Sequence, residues 1–204
     1  MFINNTMNNI KNYLDDLIKG IHNLDQNKIF KIESKLLETI KKGNNIFVCG
    51  NGGSSSVANH FLCDFNKGVK TSSKNKLKPK VISLSNNMET IMAISNDISF
   101  DKIFTFQLEN YFSKGDILIT FSCSGSSSNI VDVLNFSKQK KIYSISFTGF
   151  AKKIFQKKSN INLDIGIKNY GITEDFFQII MHMLSQSIRS AYINKYNKNK
   201  KIVL

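Results

Sequence analysis

The chain has 204 residues, 41% of them hydrophobic, and a formal net charge of +13. That length suits one domain with a substantial core; no stretch approaches the roughly 18 apolar residues of a membrane helix, and the polar start lacks the plan of a signal peptide, so a cytoplasmic protein is expected. The charge is almost all lysine, with Arg189 the only arginine, which speaks against a nucleic-acid reader, because arginine reads guanine edges and clamps phosphate at two points.

In chain order, the first forty-odd residues show helical spacing twice: Ile10, Tyr13, Leu14, Leu17 and Ile21, then Ile29, Ile32, Leu36, Leu37 and Ile40. This predicts a helical hairpin over 1–43 that Gly43 closes. The period then changes. Short apolar runs near Asn45–Cys49, Lys80–Leu84, Asp116–Phe121, Lys141–Phe147 and Asn160–Ile165 read as strands, most of them followed by a helix. Such alternation implies a parallel sheet covered on both faces. The polar segment 71–79, with the only proline, reads as an exposed loop. A long helix is expected from Thr173, as N-cap, to about Tyr196, followed by a basic tail at 197–204. The odd number of cysteines, Cys49, Cys63 and Cys123, fits reduced thiols.

The most informative stretch is Ile46-Phe47-Val48-Cys49-Gly50-Asn51-Gly52-Gly53-Ser54, where an apolar strand runs into glycines and hydroxyls and then a helix. Glycines let the backbone approach an anion, and the helix N-terminus turns free N–H groups toward it. A second such turn follows Ile117–Phe121, in Ser122-Cys123-Ser124-Gly125-Ser126-Ser127. Neither has the spacing of a P-loop or a dinucleotide loop. The pair points to one phosphorylated ligand held between two strand-helix turns.

Beyond the first loop, His60 and Asp64 stand four residues apart, and Glu174, Gln178 and His182 follow in four-residue steps on the late helix. Each set shares one helix face. An imidazole with a carboxylate on each helix suits an acid/base site or a metal site, and equally helix-surface packing and dipole-favoured acids. His22 has no such partner and reads as structural.

Taken together, Gly50-Asn51-Gly52-Gly53-Ser54, His60-Phe61, Asn96-Asp97, the serine loop with Asn129, and His182-Met183-Leu184-Ser185-Gln186 resemble the bacterial phosphoheptose isomerases, a branch of the sugar-isomerase (SIS) domain proteins. The resemblance covers nearly the whole chain. It implies a three-layer α/β/α domain with a five-stranded parallel sheet at 44–196, and a homotetramer. It further implies an enzyme that converts sedoheptulose 7-phosphate into D-glycero-D-manno-heptose 7-phosphate, toward heptoses of lipopolysaccharide, capsule or glycoproteins. By the same resemblance Asn51, Gly52, Gly53, Asn96 and Asp97 contact the substrate, and Ser122, Cys123, Ser124 and Ser127 hold its phosphate. His60, Asp64, Glu174 and His182 fall at zinc positions, with Asp64 and His182 catalytic and Asp64 and Glu174 also reaching the sugar.

The chain departs from the family at three of these positions, where glutamate is usual for Asp64, glutamine for Glu174 and threonine for Cys123. With both carboxylates in the set a zinc site would be neutral instead of +1, which predicts tighter metal retention and a weaker Lewis acid. The rival reading is a sugar-phosphate-binding or scaffold module without catalysis. Retention of both His60 and His182 speaks against it.

Overall fold

The computed structural model describes residues 2–196, with side chains described from 8 to 193. The predicted basic tail at 197–204 lies outside the described residues, as does the side chain of Lys195. Helices α1 (Phe2–His22) and α2 (Gln26–Lys41) precede β1 (Asn45–Gly50) and α3 (Gly53–Cys63), which runs through a π-helical turn (Asp64–Val69) into a short α4 (Lys70–Ser72). Next come β2 (Lys80–Ser83), α5 (Met88–Asp97), α6 (Ile103–Tyr111), β3 (Ile117–Ser122) and α7 (Ser128–Gln139). The order closes with β4 (Tyr143–Thr148), α8 (Lys153–Gln156), β5 (Ile161–Asp164) and α9 (Tyr170–Tyr196). No helix among the described residues is long and apolar enough to cross a membrane.

All strands are parallel, in the order β2-β1-β3-β4-β5. Alternation along each strand divides the core. From β1, Ile46 and Val48 pack with α2, α3 and α9, while Phe47 and Cys49 pack with α5, α6 and α7. The expected three-layer α/β/α architecture is therefore present, with an apolar cluster on either side of the sheet. The winding reverses beside β1, since the chain leaves it for β2 on one side and returns to β3 on the other. Such a switch point opens a crevice beyond the carboxyl ends of the two strands.

Local signals explain the boundaries. Asn44 and Gly43 N–H groups bond back to Thr39 and Ile40, ending α2 in a Schellman turn. The same turn ends α7 at Lys141, which takes φ +58, so β4 begins two residues later than its apolar pattern suggests. Thr173 is not the N-cap of α9. The helix starts earlier, where Asn169 Oδ1 accepts from Ile172 N at 3.1 Å, and the buried Thr173 hydroxyl donates to Ile167 O. The 71–79 loop is also less exposed than its polarity implies: Ser73 and Leu77 are buried, and Ser73 Oγ accepts from Leu77 N.

Helix α1 splits its apolar residues. Tyr13 and Leu17 pack toward the core, with Tyr13 Oη donating to Asp175 Oδ2 at 2.6 Å, while Ile10, Leu14, Ile18 and Ile21 form an exposed stripe.

Candidate active site

At the switch point the β1–α3 and β3–α7 turns face each other across a cleft of about 340 Å³. Its walls include Asn51, Gly52 and Gly53 from the first turn, Ser122, Cys123, Ser124 and Ser127 from the second, and Tyr170 and Glu174 from α9. Seven of the residues expected at a phosphosugar site thus meet in one place, with Glu174 an eighth. Asn96 and Asp97 do not join them. They stand exposed at the end of α5, Asn96 Nδ2 donating to Asp97 Oδ1 at 2.8 Å.

The cleft is built to receive an anion. Helices α2 and α5, which start elsewhere, are capped by the carboxylate of Asp25 and the amide of Asn87. Helices α6 and α8 start without a side-chain cap, and Asn169 caps α9, whose Tyr170 lines the cleft; at the two turns themselves, α3 and α7 carry none. Their first-turn N–H groups and positive dipole ends remain available to a ligand. At Gly53 a side chain would make the flexible end of Glu174 move, whereas at Gly125 positive φ and the Ala151 methyl demand glycine. A Cβ on Gly53 would lie 2.2 Å from Glu174 Oε2, and one on Gly125, at φ +64, would lie 2.7 Å from the Ala151 methyl.

Cys123 sits in this wall beside Ser54 and Glu174. Burial, and then the Glu174 charge, push its thiol from the ordinary 9.0 up to about 11. It is a neutral hydrogen-bonding group at physiological pH and not a nucleophile. A raised pKa means that the folded state holds this proton more tightly than the unfolded chain. The resulting stabilisation is complete below about pH 9 and is lost as pH rises toward 11. Near neutral pH, iodoacetamide should modify the exposed Cys63 while sparing buried Cys49 and Cys123. Peptide mass mapping checks this, and prompt labelling of Cys123 would contradict the assignment.

One to two turns along α3, a second constellation begins. His60 Nε2 lies 3.5 Å from Asp64 Oδ1, and His182 Nε2 lies 3.8 Å from Asp64 Oδ2. The imidazoles meet edge to face, 5.0 Å between ring centres. Gln178 Nε2 lies between them, 2.6 Å from His60 Nδ1 and 3.1 Å from His182 Nε2, and Ser185 Oγ donates to Asp64 Oδ2 at 3.2 Å. Asp64 opens the π-helical turn, a feature common at functional sites. The wider turn is held in place: Asn66 bonds both the N–H and the C=O of Val81 on the edge strand, and Thr71 Oγ1 donates to the Lys67 and Gly68 carbonyls.

His60, Asp64 and His182 offer ligand atoms within 4.8 Å of one another. Glu174, expected among the metal positions, stands apart from that group and accepts from Ser54 Oγ at 3.2 Å. Its carboxylate is not among the ligand atoms of this group, so this arrangement lends no support to the expected shift from +1 to neutral. Gln178 and Ser185 were missed as functional candidates. Gln178 was legible as the middle member of the Glu174–Gln178–His182 stripe, and Ser185 stands within the His182–Gln186 stretch that carries the resemblance, though without a role assigned to it. Tyr170 was missed too, because no pattern announces a residue on the rim of a cleft.

Residues 11–149 match the family model of the SIS domain. The chain is 31% identical over 163 residues to a phosphoheptose isomerase of Aliarcobacter butzleri, covering 80% of this chain and 85% of that one. It is 29% identical over 178 residues to a probable phosphoheptose isomerase of Thermoplasma acidophilum, covering 87% and 96%. Among solved structures, a phosphoheptose isomerase from Neisseria gonorrhoeae superposes with a TM-score of 0.80 at 19% identity, over 93% of this chain and 100% of that one.

Proposed function

Because the chain belongs to the SIS domain family, in its phosphoheptose isomerase branch, we infer that it is an aldose–ketose isomerase that interconverts sedoheptulose 7-phosphate and D-glycero-D-manno-heptose 7-phosphate. The observation that carries this is the joining of one anion cleft to one imidazole–carboxylate cluster along the same two helices, α3 and α9. Seven residues separate Gly53 from His60, and at a rise of 1.5 Å per residue that is about 10 Å. An extended heptulose phosphate spans about the same distance from phosphorus to its first carbons, by ordinary bond lengths. With its phosphate on the helix N-termini, the substrate's carbonyl end would reach the cluster.

The isomerisation moves a proton between adjacent carbons through a cis-enediol. Asp64 takes the proton from the carbon beside the carbonyl and returns it to the neighbouring carbon, while His182 moves protons on the oxygen side. Ser185 and His60 fix the two oxygens of Asp64. Ser122, Cys123, Ser124 and Ser127 hold the phosphate, whose binding energy positions the reacting end. Glu174 and Asn51 line the path of the sugar hydroxyls, and Asn96 and Asp97 contribute from outside the cleft of this subunit.

Two imidazoles and a carboxylate within 4.8 Å form a donor set suited to zinc, and we propose His60, Asp64 and His182 as its ligands. Bound zinc would polarise the carbonyl oxygen as a Lewis acid. The exposed stripe of α1 supports a homo-oligomer, a tetramer by family resemblance, with Asn96 and Asp97 near a subunit boundary. The product would supply heptose-containing glycans, in the cytoplasm.

A coupled assay with sedoheptulose 7-phosphate, run with and without added zinc on protein whose mass has been set by light scattering, tests the assignment. Turnover of the phosphorylated sugar, and none of the free sugar, is expected. Tight binding of the phosphosugar with no turnover under any metal condition would instead support a non-catalytic binding module.

A further inference from the structure

The two turns that close the cleft are fixed by strand pairing only as far as Gly50 opposite Phe121. Past that register no strand pair sets the gap between the two turns. Two side-chain contacts cross it, a loose one between Ser54 Oγ and Cys123 Sγ at 4.0 Å and a tighter, reciprocal one. Asn51 Nδ2 donates to Asn129 Oδ1 at 2.9 Å, and Asn129 Nδ2 donates to Asn51 Oδ1 at 2.9 Å. Asn51 follows β1 and lines the cleft, whereas Asn129 lies in the first turn of α7 and is 0% exposed.

A reciprocal pair of carboxamides is demanding. Each side must offer one N–H and one C=O in a common plane, a pattern that an ionised aspartate, accepting only, cannot supply. Away from water an unmatched amide costs more than a matched one gains, so the pair has one favoured separation and resists slippage. Among the described residues no buried side-chain nitrogen or oxygen lacks a partner, and the amide of buried Asn129 finds its partner in Asn51.

We propose that Asn129 is a positioning residue whose clasp on Asn51 sets the distance between the uncapped N-termini of α3 and α7, so that both address the same phosphate. Asn129 touches no ligand in this scheme and acts through Asn51 and through the helix that it anchors. A clasp of the right span makes the two weak dipole sites convergent. Without it, each helix end meets the anion at its own preferred distance and the two contributions no longer add. This inference rests on the phosphosugar reading above.

The test uses inorganic phosphate, whose affinity is read by calorimetry on the full chain and needs no turnover. Asn129→Asp should bind it about ten-fold more weakly than the wild type near pH 8, where the new carboxylate cannot donate to Asn51 Oδ1. Burial raises that carboxyl's pKa, and the protonated form again has one donor and one acceptor, so the gap to wild type should close as pH falls toward about 5. Because every other group is common to both proteins, the variant-to-wild-type ratio isolates residue 129. Asn129→Ser removes both bonds without adding charge and should weaken binding about ten-fold at either pH.

A serine variant with wild-type phosphate affinity would overturn the proposal, and so would an aspartate-to-wild-type ratio that does not change with pH. If the aspartate variant fails to fold, as judged by circular dichroism, the serine variant decides alone. A wild type that binds no phosphate would remove the phosphosugar reading and the clasp's role with it, an outcome distinct from normal wild-type binding with indifferent variants.

Discussion

Asp64→Asn should lower kcat on sedoheptulose 7-phosphate by at least about 100-fold, the usual scale for losing a general acid or base. The substitution is nearly isosteric. The amide oxygen can still accept from Ser185 Oγ, which now reaches Asp64 Oδ2 at 3.2 Å, so the π-helical turn and its packing should survive. The carbon-bound proton loses its acceptor, and one metal ligand loses its charge. Turnover, metal content by mass spectrometry and the melting temperature separate these effects. Near-normal kcat would reduce Asp64 to an ion-pair partner of the two histidines. Glu174→Gln is the matching control. From sequence alone it should loosen the metal, but the carboxylate bonds Ser54 in the cleft instead, so metal content should stay at the wild-type level while KM changes.

Replacing Ser124 and Ser127 together by alanine should raise KM by at least about 100-fold with kcat changed little. Hydrogen bonds to a charged group are worth about 1.5–3 kcal/mol each, and both are remote from the reacting carbons. Ser127 occupies the N-cap position of α7 without bonding its own helix, and Ser124 is tied only to Ser126, so neither hydroxyl is needed for the fold. A fall in kcat at unchanged KM would move the phosphate out of the serine loop.

Strands β1 and β3 were legible because they are buried on both faces and so appear as apolar runs, each ending in a small-residue turn. The cleft was legible because two glycine- and serine-rich turns each follow a strand and precede a helix, a pairing that a single such turn does not signal. Less could be seen on the helices. Spacing put Glu174, Gln178 and His182 on one stripe, but which of them meets His60 depends on how α9 crosses α3, a packing angle that no local pattern carries. The crossing delivers Gln178 to His60 and His182 to Asp64 and leaves Glu174 at Ser54. The start of α9 was misplaced because Thr173 has the chemistry of a cap and is used for something else, a buried bond to Ile167. On α1, periodicity revealed an amphipathic helix but not that its apolar residues divide between the core and the exterior.

Helix α9 gives its registry an unusual weight. One continuous rod covers the sheet with Phe176, Phe177, Ile180 and Leu184 and aims Glu174, Gln178, His182 and Ser185 at the cleft and the cluster. Each residue added to a helix turns everything beyond it by about 100°. An insertion or deletion between 174 and 182 would therefore swing the imidazole into the core and an apolar ring out toward the substrate in one step. Point changes can drift along this helix one at a time, but changes of length between 174 and 182 cannot.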